Sequence, residues 1–242
     1  MRINIFPKLL IKISLLNIYT VKFILKYSFI FFVFLSLTSC FDIIDKISLK
    51  ADGSGEYSVI LNASKSKTRL QSISKMETIN GKKVPKKSEI DKKLNDASAI
   101  FKTVSGISNV KTSFDAENYI IKLSCNFKKI ENINAGLELL KSKNVIGKMI
   151  PTQLYKNNSS EKILVRNKIS SFKTEYDKMS SADKEVFTNA TYTSILQFEN
   201  LIKSQTNSEY KISPNKKAIK LDGTILDFIL QKKQVQNTIT LQ

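Results

Sequence analysis

The chain has 242 residues, with 39 lysines and arginines against 21 aspartates and glutamates, which gives a formal net charge of +18. It contains no histidine, which excludes Ser-His-Asp and Cys-His catalysis, HExxH metalloproteases and most zinc sites. Apolar residues make up 42% and charged residues 25% of the chain, so it can bury a core and we do not expect a disordered protein.

The positive charge is almost entirely lysine. Only Arg2, Arg69 and Arg166 are arginines, and lysine lacks the forked group with which arginine reads DNA bases. We therefore expect no nucleic-acid partner. A basic surface attracts anionic lipid headgroups or acidic proteins; the alternative is that lysine is abundant because the coding DNA is rich in A and T.

Residues 1–39 have the layout of a secretory signal peptide. Lys22 and Lys26 precede the uncharged stretch YSFIFFVFLSLTS, residues 27–39, and the order basic, apolar, small is typical of such signals. The apolar block is shorter than the about 20 residues that a membrane-spanning helix needs. We therefore predict that residues 1–39 are a signal peptide.

The tetrapeptide Leu37-Thr38-Ser39-Cys40 ends this segment and resembles the lipobox of bacterial lipoproteins. The resemblance implies that the Cys40 thiol receives a diacylglycerol by thioether linkage and becomes the new amino terminus. Membrane lipid is then a partner through acylated Cys40, since two or three buried acyl chains at about 0.8 kcal/mol per methylene anchor a protein irreversibly. The alternatives are an uncleaved signal anchor and a cysteine buried in a core.

The residues after the cysteine bear on localisation. In Gram-negative lipoproteins, an aspartate directly after the modified cysteine implies retention in the inner membrane, but here Phe41 follows and Asp42 comes one residue later. The resemblance therefore implies a lipid anchor in the outer membrane. Surface display in some groups uses a tight acidic cluster, whereas Ile43 and Ile44 separate Asp42 from Asp45. We expect the periplasmic face rather than the cell surface.

Period-two patterns predict an opening β-hairpin after the cysteine. The segment KISLKADGSGEYSVIL, residues 46–61, alternates apolar side chains on both sides of a glycine-rich turn. A short helix around Leu70 follows. A longer helix is predicted from Ser88, with Ser88 and Asp91 as a capping pair and one apolar face.

A second hairpin turns through DAEN, residues 115–118, and its second strand carries Cys125 on the inward side. Because a lone thiol without histidine has no activator, we interpret Cys125 as a small buried apolar residue. A helix with Ile133, Leu137 and Leu140 comes next. Hairpin, helices, hairpin and helix in this order predict an α+β fold, an antiparallel sheet with helices packed on one face.

Residues 144–162, NVIGKMIPTQLYKNNSSEK, are the most plausible internal boundary, since glycine, proline and polar residues interrupt regular structure there. We predict a single α+β domain over 41–242, with two lobes, 41–143 and 160–242, as an alternative. The elements predicted after the boundary are strands at 162–169, 190–198, 210–212 and 219–221, a polar helix capped near Ser180 or Ser181, a helix from Thr224 to about Gln231, and a strand ending at Leu241.

The segment LKADGSGEYSV, residues 49–59, together with these hairpin and strand-helix pairings, resembles the LppM-like domain of secreted bacterial lipoproteins. This resemblance covers about half of the chain and contains no diagnostic motif.

The sequence offers no catalytic constellation. Ser-x-x-Lys occurs eight times in the chain, but none of these has the supporting motifs of a Ser-Lys enzyme. Carboxylate pairs for glycoside cleavage need a shared cleft that spacing does not reveal. We predict no catalytic residue, no cofactor and no metal ligand.

Two surface segments remain. KKVPKK, residues 82–87, is either a solvated loop or a contact for anionic headgroups. The helix TILDFILQKK, residues 224–233, is expected to use its apolar residues in the core, with a partner-binding face as the alternative.

These observations favour a non-enzymatic, lipid-anchored protein of the cell envelope that binds or supports another envelope component, either an unknown protein or anionic lipid. Two alternatives from other classes remain. A carrier of lipids or amphiphiles predicts a deep apolar cavity, and a hydrolase using carboxylates or a Ser-Lys pair predicts converging ionisable groups in a cleft.

Overall fold

The computed structural model describes residues 41–147 and 150–242, which belong to one compact unit. Its strands are β1 (Asp42–Leu49), β2 (Gly55–Asn62), β3 (Thr78–Ile79), β4 (Lys82–Lys83), β5 (Ile107–Asp115), β6 (Ile120–Phe127), β7 (Tyr155–Asn158), β8 (Ile163–Arg166), β9 (Thr191–Phe198), β10 (Ile202–Gln205), β11 (Lys211–Ile212), β12 (Ala218–Thr224) and β13 (Asn237–Leu241). Its helices are α1 (Lys67–Ser74), α2 (Lys87–Thr103), α3 (Glu131–Ser142), α4 (Lys173–Asp177), α5 (Ser181–Glu185) and α6 (Ile225–Ile229).

The larger sheet has seven strands in the order β11-β12-β9-β1-β2-β6-β5, which puts β1 at its centre. Neighbouring strands are antiparallel except β1 and β9, which are parallel with Asp42 opposite Thr191. A second sheet has the order β10-β13-β8-β7 and is antiparallel throughout. The predicted α+β class with antiparallel sheets is confirmed, and the parallel pair is an addition that local sequence did not reveal.

Two layers cover the inner face of the seven-stranded sheet. The first layer is helical: Phe101 of α2 and Ile133 of α3 are fully buried in one core with Cys125 of β6. The second layer is the four-stranded sheet, whose Leu164 and Ile239 are fully buried in the same core. The alternation that predicted the strands therefore reflects burial of every second side chain against these layers.

Both predicted hairpins are confirmed, as β1–β2 and β5–β6. The long predicted helix is confirmed as α2, but its start is held differently. The Glu89 carboxylate accepts a hydrogen bond from the Lys86 backbone N–H at 2.9 Å, and Asp91 pairs with Lys87. The expected capping pair of Ser88 and Asp91 is thus replaced by Lys86 and Glu89, each two residues earlier.

The region expected to lack regular structure between residues 144 and 162 contains β7, which pairs with β8 from Tyr155 opposite Arg166 to Asn158 opposite Ile163. Asparagine has low strand propensity, but backbone pairing at the edge of a sheet tolerates it. Strand β10, which was not predicted, pairs with β13 at the other edge of the same sheet.

Candidate functional site

Cys40 lies outside the described residues, so its lipidation stays a prediction. The described chain begins at Phe41, and β1 begins at Asp42, two residues after the cysteine. Because an extended residue spans at most about 3.6 Å, the Asp42 Cα lies within about 7 Å of the Cys40 Cα. The predicted modification site is therefore joined without a linker to the central strand of the seven-stranded sheet.

The residue after the cysteine is held by the fold. The backbone carbonyl of Phe41 accepts a hydrogen bond from the Thr191 N–H at 2.9 Å. The Phe41 ring lies edge-on to Phe187, with 6.4 Å between ring centroids, and Phe187 contacts Tyr176 in the same way at 6.2 Å. Aromatic rings therefore cluster at the point where the chain enters the domain.

Asp42 is also engaged. Its carboxylate accepts a hydrogen bond from the Thr191 hydroxyl at 2.6 Å and pairs with the Lys65 ammonium at 3.1 Å. Burial raises the pKa of Asp42, but the hydrogen bond from Thr191 and the contact with Lys65 outweigh it, so the net pKa is lowered. The start of β1 is thus tied to β9 on one side and to the segment before α1 on the other.

We define the anchor-side edge as the end of the seven-stranded sheet where β1 begins. In register with Asp42 along this edge lie Asn62 of β2, Ile120 of β6, Thr191 of β9 and Thr224 of β12. The opposite end of the sheet, where β1 finishes at Leu49, is the distal end.

The lysine-rich segment 63–87 is attached to the anchor-side edge by ion pairs. Lys67 pairs with Glu117 in the β5–β6 turn at 3.2 Å, and Lys82 pairs with Asp183 of α5 at 2.8 Å. Within the KKVPKK segment, Lys83 also pairs with Glu89 at 2.5 Å. Lys82 and Lys83 are exposed and Lys67 is half-buried, so the segment is a largely solvated surface whose charges are partly balanced by neighbouring carboxylates.

The main buried cluster of charged groups lies between the two sheets. The guanidinium of Arg166, only 1% exposed, donates from Nη2 to Asp45 Oδ2 at 2.9 Å. The hydroxyls of Tyr155 and Tyr192 donate to the same oxygen at 3.0 and 2.9 Å. The Arg166 guanidinium also stacks 4.3 Å from the Tyr155 ring centroid. One carboxylate oxygen thus collects three donors from β7, β8 and β9.

Burial raises the pKa of the Tyr155 and Tyr192 hydroxyls well above their usual range. Both hydroxyls therefore keep their protons and act as donors to Asp45. A general base or nucleophile needs access to a substrate, and this carboxylate is 4% exposed. The arrangement is that of a structural charge pair joining the sheets rather than a reaction centre.

Sequence reasoning did not single out Asp45 or Arg166. The alternation of β1 places Asp45 on the same side as Ile47 and Leu49, and that of β8 places Arg166 on the same side as Leu164. Both were therefore detectable as inward-facing charges. Their pairing was not, because 121 residues separate them.

An open cleft of about 560 Å³ lies at the distal end. Its lining includes Ser48, Glu56, Gln197 and Lys217, so charges of both signs border it. Ser48 donates to Gln197 at 3.2 Å. A second open cleft of about 420 Å³ has a lining of polar residues that includes Asn207 and Glu209. Neither matches the deep apolar cavity that a lipid carrier requires.

Two further sequence predictions concern residues that were expected to be buried in the core, Cys125 and the apolar residues of α6. Cys125 is 1% exposed, as expected, and burial, with a smaller contribution from the Glu56 carboxylate, raises the pKa of its thiol to about 12. In α6, Ile229 is buried, whereas Ile225 and Leu226 are half-buried.

Within residues 41–147 and 150–242, no three histidine, cysteine or acidic side chains are grouped so that they could hold a metal ion, and no helix is long and apolar enough to cross a membrane.

No protein-family model matches this sequence, and no curated protein sequence matches it. Among solved structures, the chain is similar to the NMR structure of the Mycobacterium tuberculosis LppM protein folded domain, with a TM-score of 0.38 and 10% sequence identity, over 84% of this chain and 91% of that chain. LppM is also the name of the domain that the segment LKADGSGEYSV, residues 49–59, resembles. A similarity this low carries no conclusion about function, which rests on the residues of this chain.

Proposed function

We propose that the protein is a bacterial lipoprotein, anchored through acylated Cys40 in the outer membrane on its periplasmic face, with a non-enzymatic binding or structural role in the cell envelope. The observation that carries the proposal is the sequence LTSC at Cys40, placed two residues before the central strand of a compact domain. An anchor at this position holds the whole domain against a bilayer.

The non-enzymatic role is supported by where the ionisable groups lie. Asp45 and Arg166 are buried and form an ion pair with each other, and Cys125 keeps its proton in the core. In the distal cleft, Glu199 accepts a hydrogen bond from the Ala51 backbone N–H at 2.8 Å, so it serves the turn between β1 and β2. These groups stabilise the fold and do not converge on an accessible point.

The anchor is tested by incorporation of labelled palmitate in a Gram-negative host that produces the full chain. We expect label in the wild-type protein and none above background in Cys40→Ala, because the acyl chains need that sulfur and the amino group of the same residue. Cys125→Ala is the matched control, since Cys125 is the only other cysteine of the chain, and it should retain full labelling.

Mass spectrometry of the amino-terminal peptide and separation of the two membranes complete the test. The expected product begins at Cys40 with its acyl chains and sediments with the outer membrane. Unchanged labelling of Cys40→Ala, or recovery of the mature chain with residues 1–39 attached and an unmodified Cys40, would contradict the proposal.

A further inference from the structure

Residues 63–87, which contain α1 and the β3–β4 hairpin, are largely exposed, although Ser66 and Val84 are buried. This segment carries eight basic residues and a single acidic one, Glu77. No residue of α1 is buried, and Met76, which follows the helix, is 50% exposed. The segment therefore adds little to the core although it contains Leu70, Ile73 and Met76 at helical spacing.

The segment is fixed at the anchor-side edge. It follows directly from Asn62, which lies opposite Asp42, and the Ala63 N–H donates to the Tyr119 carbonyl at 3.1 Å. Lys65 pairs with Asp42 itself at 3.1 Å, and Arg69 pairs with Glu185 at 3.5 Å. The basic and apolar segment thus lies beside the residue to which the acyl chains are expected to be attached.

We propose that residues 63–87 are the surface with which the anchored domain rests on an anionic lipid bilayer. This inference depends on the proposed lipidation of Cys40, because it is the short connection to β1 that brings this edge to the headgroups. The half-exposed apolar side chains enter the interfacial region, and the surrounding lysines meet lipid phosphates.

Charge and exposure favour lipid over a protein partner as the occupant. The ion pairs of Lys82 and Lys83 are largely solvent-exposed, with these two side chains 67% and 70% exposed, and such pairs contribute little free energy. Lipid phosphates can therefore replace the carboxylates without a large cost. Lys75 and Lys86 flank Met76 in space, since the Lys86 ammonium lies 3.5 Å from the Met76 carbonyl. A flexible thioether bordered by lysines suits a fluid interface.

The test uses the full lipidated chain in a Cys125→Ala background, reconstituted into vesicles of phosphatidylethanolamine with or without phosphatidylglycerol. An environment-sensitive fluorophore is placed on Met76→Cys. Ile212→Cys is the matched control: Ile212 is 45% exposed and pairs with Ile219, which lies in the row of Ile47. That row is five residues along β1 from Asp42, or about 16 Å.

We expect a blue shift at position 76, and quenching there by lipids that carry a quencher in the acyl region, in vesicles that contain phosphatidylglycerol, with no change at position 212. Lys75→Gln and Lys86→Gln should each reduce the ratio of docked to undocked protein about fivefold. Lys211→Gln and Lys217→Gln, both exposed and on the side of the control, should leave it unchanged.

The other outcomes are distinguishable. If the protein floats with the vesicles and neither probe responds, the anchor holds but the docking surface is refuted. If the position-76 probe responds equally in detergent micelles without lipid as the protein concentration rises, a second copy covers the segment and the lipid assignment is wrong. A chain that is not acylated and does not float refutes both this inference and the proposed function.

Discussion

Helices α2 and α3 pack over the part of the seven-stranded sheet that contains β5 and β6, whereas the second sheet packs against β1 and β9, where Arg166 and Asp45 form a buried ion pair between the sheets. The helix-covered half buries apolar residues such as Phe101, Cys125 and Ile133, which lie within about 30 positions of one another in the chain. In the sheet-covered half, Asp45 is joined to Tyr155 and Arg166, which lie 110 and 121 residues away.

This difference has an energetic consequence. When an apolar side chain in a core is shortened, the protein loses stability in proportion to the atoms removed. Single substitutions in the helix-covered half should therefore lower the free energy of unfolding in small steps. Burying an ion pair costs desolvation free energy for both charges. Removing one partner leaves the other charge buried without its compensating interaction. The sheet-covered half should therefore respond sharply to a single substitution.

The largest expected effect follows from Arg166→Met. This change keeps most of the side-chain volume but leaves the Asp45 carboxylate buried with only its tyrosine donors. We expect the free energy of unfolding to fall by about 3–5 kcal/mol, measured by urea denaturation of the domain. Arg69→Met, which removes an exposed pair with Glu185, is the control and should cost about 1 kcal/mol or less.

A double variant sharpens this result. Asp45→Asn combined with Arg166→Met removes both charges, so we expect it to recover a large part of the loss. If Arg166→Met alone matched the wild type within about 1 kcal/mol, the pair would not be what joins the sheets.

The contrast between the halves also separates what the sequence could predict from what it could not. Alternation and turn residues predicted both hairpins, the long helix and the last strand, because each depends on neighbours a few residues away. Strand β7 forms a hairpin with β8, which directly follows it, but its short sequence with two asparagines lacks the alternation and strand propensity that identify a strand. The parallel pairing of β1 with β9 joins residues far apart in the chain. Local patterns carry no information about such pairings.

The same limit applies to the candidate site. The tetrapeptide ending at Cys40 is a local signal and was readable directly. The KKVPKK segment was recognised as a basic surface, but its contact with Asp183 joins residues 101 positions apart. Only the fold shows that this segment lies beside the start of β1.

A smaller effect is expected in the helix-covered half from Phe101→Leu. Phe101 is fully buried and its ring packs against Gly136 of α3, so leucine leaves a small void but no unpaired charge. We expect a loss of about 1.5 kcal/mol in the free energy of unfolding, measured in the same urea experiment. Leu139→Met on the exposed side of α3, where Leu139 is 37% exposed, should change it by about 0.5 kcal/mol or less. A loss for Phe101→Leu as large as that for Arg166→Met would remove the distinction between the halves.

The smallest effect concerns the Cys125 thiol at alkaline pH. Burial raises its pKa to about 12 in the folded protein, whereas an unfolded cysteine has a pKa of about 8.5. Above that lower value the unfolded chain loses the proton that the native chain keeps, so the free energy of unfolding falls as the pH rises. From this thiol we expect a decline of about 1 kcal/mol between about pH 8 and pH 9.5, to which the buried tyrosines add a smaller decline as the pH approaches their unfolded pKa of about 10.

Cys125→Ala isolates this contribution, because it lacks the thiol and should show a flatter dependence over the same interval. The native wild-type thiol should also react slowly with iodoacetamide at pH 8, since both burial and the raised pKa suppress the thiolate. Parallel pH dependences of the two proteins would show that the thiol ionises as readily in the folded chain as in the unfolded one. The helix-covered half would then admit water to its centre, and the apolar character assigned to that half would be incorrect.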